Sequence, residues 1–198
     1  MASFFSKAKV LRNNRTLGKT QAVFKGIKLA RKDIILLLDA DLVGLSVENI
    51  TALVEPLLQK KADLTISYRA AQPFFNKFII WAQPFVSGER CFYKKEFLKI
   101  KDLKRAKDFE LEMLCNKYFL DRKKRIAVVP LQKVRDFFKY EKYPFFKGLI
   151  ADFKMCFSLI KNIGIKEILR QTFLISVRFQ LIKIFRSLDS RTYSILNL

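Results

Sequence analysis

Residues 33–41 read Asp-Ile-Ile-Leu-Leu-Leu-Asp-Ala-Asp. An unbroken aliphatic run this short, closed by carboxylates at both ends, has no polar face to turn to water. It predicts a strand buried on both faces, as in a parallel sheet. The flanking residues support that setting. Gly18 to Lys32 reads as a helix, with Ala22, Val23, Ile27 and Ala30 near one face. Ser46 is placed to cap a second helix from Val47 to Lys61, and Asp63 to Tyr68 reads as a second strand. Helix, strand, helix, strand in this order implies a right-handed α/β unit with a mostly parallel sheet.

Less regular segments follow. Pro73 to Trp81 fits a short helix or lid interrupted by Pro84. Arg90 to Tyr93 fits a strand, Asp108 to Leu120 a helix, and Arg125 to Leu131 a strand. From Pro144 the texture changes to two basic, aromatic-rich helices broken near Asn162-Ile-Gly164. The expected division is therefore an α/β domain over 1–143 and a helical extension over 144–198.

Composition limits the chemistry. Histidine is absent, which excludes Ser-His-Asp and Cys-His catalysis and any metal site needing imidazole. Three cysteines, Cys91, Cys115 and Cys156, lie far apart, which argues against a disulfide framework and for a reducing compartment. Lys and Arg outnumber Asp and Glu by 39 to 18, a net charge of +21. Nucleic acid, an anionic membrane face and phosphorylated substrates would each be drawn to that field. No apolar run is long enough to span a bilayer, and the first residues do not read as a signal peptide, so a cytoplasmic location is expected.

Asp39-Ala40-Asp41 is the chemical centre of the sequence. Ligands of open α/β sheets gather at the carboxyl ends of strands. Two carboxylates one residue apart can divide the work there, one reaching a divalent cation and one a sugar hydroxyl. Mg²⁺ or Mn²⁺ takes only one or two protein carboxylates and completes its shell with phosphate oxygens and water. The competing reading is a solvated turn in which Asp41 caps a helix. Nearby, Leu17-Gly18-Lys19-Thr20 has the look of a P-loop ending, but the glycine that the motif needs five residues earlier is Asn13.

Gly18-Lys19-x-x-Ala22-x-x-x-Gly26, followed by Ile34-Ile-Leu-Leu-Leu-Asp39-Ala-Asp41-Leu42, resembles the middle of a family 2 glycosyltransferase of the GT-A fold. Further segments match in the family's order. They are Ala62-Asp63, Gln83-Pro-Phe-Val-Ser87-Gly88-Glu89-Arg90, Asp108-Phe-Glu-Leu-Glu112-x-x-x-Asn116, and Val134-Arg135-Asp136-x-x-Lys139-x-x-Lys142. Within the family the pattern is similar to bacterial enzymes like dolichyl-phosphate sugar synthases and glucosyl-3-phosphoglycerate synthases. The resemblance implies a nucleotide-sugar donor, Mg²⁺ or Mn²⁺, and transfer of the sugar to a phosphorylated acceptor such as a polyprenyl phosphate. It implies Asp41 as direct metal ligand, Asp39 near the donor ribose or the metal's water shell, and Lys19 near the donor nucleotide. The resemblance further implies Glu112 at the acceptor side as general base, Arg90, Arg135 and Lys139 facing the departing diphosphate, and Gly88 as the residue allowing close backbone approach to sugar or acceptor. Asp136 stands where the family often has a metal-binding histidine, and a carboxylate there also suits a hard cation.

The residues before Gly18 hold none of the opening strands with which the family grips the nucleotide base. The resemblance therefore implies a fragment, a separately encoded first half, or a degenerate copy. It also implies weak donor binding by the chain alone and an open sheet edge that a partner, a missing half or a second copy would cover. The tail alternates bulky apolar residues with Lys and Arg, a pattern for helices in a membrane interface or for helices packed on the core. Two other readings compete with a transferase. One is a nucleic-acid-binding module, disfavoured because the aromatics fall mostly in the tail and in apolar runs; the other is an inactive membrane-associated remnant.

Overall fold

Hydrophobic alternation builds the centre of the molecule. The computed structural model describes residues 8–13, 18–69, 86–101, 103, 106, 110–136, 160–186 and 193–196, with the main chain alone at 69, 135, 136 and 183–186. Strands β3 (Leu64–Arg69) and β5 (Ile126–Leu131) pair in parallel from Leu64↔Ile126 to Arg69↔Leu131. Ile126 and Val128 face one side of the sheet, where they meet Leu64, Ile66 and Phe92. Val129 and Leu131 face the other, against Leu53 of helix α2 (Val47–Leu58). This period of two gives both faces of the sheet an apolar layer to cover.

The full sheet runs β1-β4-β3-β5-β7, with β1 at Ile34–Leu37, β4 at Arg90–Tyr93 and β7 at Ser194–Leu196. Strands β1, β3 and β5 point one way; β4 and β7 point the other. The sheet is thus mixed, and the mostly parallel arrangement expected from the sequence is corrected. The chain returns through β4 between β1 and β3, so the only parallel pairing among the described strands is β3 with β5. The acidic-ended run is also less buried than expected. Of β1 only Ile35 is buried, because β1 forms the sheet edge among the described residues.

Local chemistry fixes the helices. Helix α1 (Lys19–Leu29) starts at Gly18, whose φ of 77° favours glycine, and stops at the extended Ala30. The Lys94 ammonium donates to the Lys28 and Ala30 carbonyls, placing a cation at the negative end of α1. In α2 the Ser46 hydroxyl accepts from the Asn49 N–H, as predicted for the cap. The Asn49 side chain then exchanges two hydrogen bonds with the Gln132 backbone, tying α2 to the loop after β5. Asp63 joins the starts of β3 and β5 by accepting from the Arg125 N–H and guanidinium.

A small ribbon pairs β2 (Leu42–Val43) with β6 (Arg135–Asp136), antiparallel, with Leu42 opposite Asp136. Gly44 makes the ribbon's entry possible. Its φ is 84°, and a side chain there would collide with the Lys133 carbonyl oxygen.

After helices α3 (Lys94–Phe97) and α4 (Glu110–Asp121), the tail joins the same core. Gly164, at φ 88°, separates a helical turn at 160–163 from α5 (Ile165–Gln171). A π-helical segment (Thr172–Val177) and α6 (Arg178–Arg186) continue it. Ile175, Phe179 and Leu196 belong to the main core, and the Phe179 ring lies 5.0 Å from that of Tyr68. Among the described residues no helix is long and apolar enough to cross a membrane. The Pro73–Trp81 helix expectation lies outside the described residues. Cys91 and Cys115 are free and buried, and burial pushes their thiols up to about 12 and about 11. Both stay protonated at neutral pH and are poor nucleophiles.

Candidate functional site

The carboxyl end of β1, the start of α1, the start of α4 and the loop entering β4 converge on one cleft of about 320 Å³. Lys19, Asp39, Gly88, Arg90 and Glu112 line it, with Ala22, Val23, Leu37 and Leu111 as apolar walls. Five residues predicted from distant parts of the sequence therefore share one cavity. Lys19 stands between the two acids: its ammonium is 2.8 Å from Glu112 Oε1 and 3.3 Å from Asp39 Oδ1. Partial burial pulls the Lys19 pKa down, but Glu112 and then Asp39 more than reverse this, and the net shift is upward. Lys19 stays charged across the neutral range.

Glu112 carries the most informative atom in the cleft. Its side chain is 2% exposed, and Oε2 is buried with no hydrogen-bond partner. A buried carboxylate oxygen left unpaired is costly, so a water, an ion or a ligand that supplies a donor or a positive charge would be held there.

Gly88 presses against Asp39. A Cβ at position 88 would sit 2.8 Å from Asp39 Cγ and closer still to Oδ2. In this structure, the close approach that glycine allows is to the Asp39 carboxylate. Gly88→Ala is expected to cost about 1–3 kcal/mol by overpacking, read from the denaturation midpoint. In the Asp39→Ala background the same change should cost little; strictly additive effects would remove the contact as the reason for glycine.

Arg90 is 1% exposed. Its Nε donates to the Ser87 carbonyl at 2.7 Å, and its Nη1 to the Glu112 carbonyl and the Asn116 side-chain oxygen. The guanidinium thus clamps the 87–88 loop to the start of α4. Asn116 in turn donates to Gln171 of α5, and Gln171 donates to the Met113 carbonyl and to Glu167. Behind the loop, the Ser67 and Ser87 hydroxyls both donate to Glu89 Oε2 at 2.7 Å. Sequence reading missed Glu89 and Gln171 as supports of the site. Gln171 has no sequence signal beyond being a polar residue on a core-facing helix position.

The remaining predicted residues sit around the acidic turn or outside the described residues. Asp41 is exposed, one step beyond the cleft wall. The ribbon brings the Asp136 main chain opposite Leu42, next to Asp41, with Arg135 opposite Val43. Lys139 lies outside the described residues. Among the described residues, no cluster of three or more Asp, Glu, Cys or His groups forms a metal cage. What the turn offers is two oxygen-donor carboxylates, which suits a hard cation that draws most of its shell from phosphate and water.

The model of the family described as "Glycosyl transferase family 2" matches residues 1–126. The chain belongs to glycosyl transferase family 2. The matched stretch includes every described residue of the cleft, while Arg135, Asp136 and Lys139 fall beyond it. Solved structures agree on the fold. Glucosyl-3-phosphoglycerate synthase from Mycobacterium tuberculosis, in complex with Mn²⁺ and uridine-diphosphate-glucose, superposes with a TM-score of 0.56 at 20% identity. That match covers 75% of this chain and 55% of that one. The same enzyme with Mn²⁺, uridine-diphosphate-glucose and glycerol 3-phosphate gives 0.51 at 19% identity, covering 78% and 55%. This family 2 chain thus spans about half the length of those structures. At such identity the likeness shows the GT-A fold, a sheet flanked by helices. No curated protein matches the chain.

Proposed function

We propose that this chain carries the metal and acceptor side of a glycosyltransferase that moves a sugar from a nucleotide-sugar to a phosphate- or lipid-linked acceptor. The observation that carries the reading is the cleft in which Lys19 bridges Asp39 and Glu112 while Glu112 Oε2 is left without a donor. An acceptor hydroxyl is the donor that fits: it bonds to Oε2 and gives up its proton there as its oxygen bonds to the sugar's anomeric carbon and the bond from that carbon to the nucleotide diphosphate breaks, the diphosphate leaving. Lys19 holds the other carboxylate oxygen and fixes the direction of Oε2. Asp39 and Asp41 would hold Mg²⁺ or Mn²⁺, which when bound neutralises diphosphate charge. Arg90 acts by positioning, since its donors hold the 87–88 loop and α4 together. Arg135, Asp136 and Lys139 are proposed for the diphosphate end of the site, on the family pattern and the β2–β6 register.

The test uses uridine-diphosphate-glucose with Mn²⁺ or Mg²⁺, and glycerol 3-phosphate, phosphoglycerate or a polyprenyl phosphate as acceptor. Metal-dependent release of uridine diphosphate is the readout. Asp41→Asn is expected to lower it about 10²–10³-fold, the loss typical when one electrostatic stabiliser of a developing charge is removed. Full activity in that variant would reject the assignment of the acidic turn.

A further inference from the structure

The tail helices divide their apolar side chains between two faces. Ile175 and Phe179 point into the molecule and are buried, on the same side as the buried polar Gln171. Ile165, Leu169, Phe173 and Leu181 point outward, with Leu169 61% and Phe173 58% exposed. These four positions are spaced by four residues or a multiple of four. In an α-helix a four-residue step overshoots one turn, so such a row drifts around the axis. The π-helical segment at Thr172–Val177 has wider turns, in which the same step falls short and offsets the drift. The outcome is an apolar row on one outer face, continued at its start by the exposed Ile160. Single exposed apolar residues are ordinary; a row on one face is not.

The sequence of this segment is strongly basic. Residues 160–186 contain Lys161, Lys166, Arg170, Arg178, Lys183 and Arg186 against the single acid Glu167. Glu167 is already engaged by Arg170 at 3.1 Å and Gln171 at 2.9 Å. The chain as a whole carries +21. An apolar stripe bordered by cations on a helix otherwise anchored in a folded core matches the requirements of interfacial binding to anionic lipid.

We propose that the outer face of α5, the π-helical segment and α6 docks on an anionic lipid surface, with Ile165, Leu169, Phe173 and Leu181 entering the headgroup layer. Lys161 and Lys166, both exposed, then lie against lipid phosphates. A bilayer is favoured over a protein partner because the row needs no complementary pocket and residues 160–186 carry six cations against one acid, with Asp121 of α4 held by Arg170 at 2.8 Å. The inference stands apart from the transferase reading, since partitioning onto vesicles requires no turnover.

Co-sedimentation of the full chain with phosphatidylcholine vesicles, with and without one-third phosphatidylglycerol, tests it. Binding is expected on the anionic vesicles and to weaken with salt. Leu169→Ser with Phe173→Ser should lower the partition coefficient by about tenfold or more, given the apolar area withdrawn from lipid. Val47→Ser, an equally surface-placed change on α2, should leave it unaltered. Equal thermal midpoints would show that the variants fold. The proposal is overturned if the chain stays in solution, if neutral vesicles bind it as well, or if the double variant binds unchanged. It is also overturned if the double variant abolishes a concentration-dependent dimer while vesicle binding persists, which would assign the face to a second copy.

Discussion

Glu112→Gln is expected to reduce turnover by about 10²–10⁴-fold in a preparation that carries out transfer, the range for loss of a general base. The substitution is nearly isosteric, so the packing around the start of α4 is kept. One oxygen remains to accept from Lys19, in place of the 2.8 Å contact in the parent. The change falls on the unpartnered atom: where Oε2 could accept a proton, an amide NH₂ can only donate. The donor KM should therefore stay within about twofold while kcat falls, the pattern of an interaction made in the transition state. Parent-like kcat in a folded Gln variant would sink the assignment, and so would a rise in KM alone.

How legible each feature is in the sequence depends on how local it is. Helices α1, α2 and α4 and strands β1, β3, β4 and β5 were legible because each carries its own period or apolar run, and Ser46 marks the start of α2 by local chemistry. Ends were less clear: the first helix was expected to reach Lys32, but the chain turns extended at Ala30. Strand order was not legible, because nothing in Arg90–Tyr93 states that it runs backwards between β1 and β3. The β2–β6 ribbon and β7 escaped for a related reason. Strands of two or three residues exist only through distant partners, Asp136 for Leu42 and Ile126 for Leu196. In the site, residue types and motif order single out Lys19, Asp39, Gly88, Arg90 and Glu112, and the fold gathers these five around one cleft. Their division of labour was less accessible. Sequence reading pointed Arg90 at a leaving group and Gly88 at a ligand, whereas their described contacts are to Ser87, Glu112 and Asn116, and to Asp39.

Arg90→Ala is expected to destabilise the fold by about 3–5 kcal/mol, from buried acceptors left without a donor and from the cavity that truncation opens. Arg90 is among the largest fully buried side chains, so truncation leaves both a cavity and stranded polar groups. The Ser87 carbonyl, the Glu112 carbonyl and the Asn116 side-chain oxygen each lose a donor, and each sits on an element that Arg90 joins to another. Against a typical domain stability of about 5–15 kcal/mol, this is a large fraction. Urea denaturation should show a lowered midpoint with little change in slope. Arg90→Lys should recover only part of the loss, because one ammonium cannot reproduce the fork that reaches both the loop and α4. Cleft geometry should fail before the fold does: loosening the 87–88 loop frees Asp39, and loosening α4 releases Glu112 from Lys19. A folded Arg90→Lys variant is therefore expected to lose donor or metal affinity out of proportion to its stability. A loss below about 1 kcal/mol in Arg90→Ala would instead mean that the clamp is replaceable and that burial of this guanidinium has another cause.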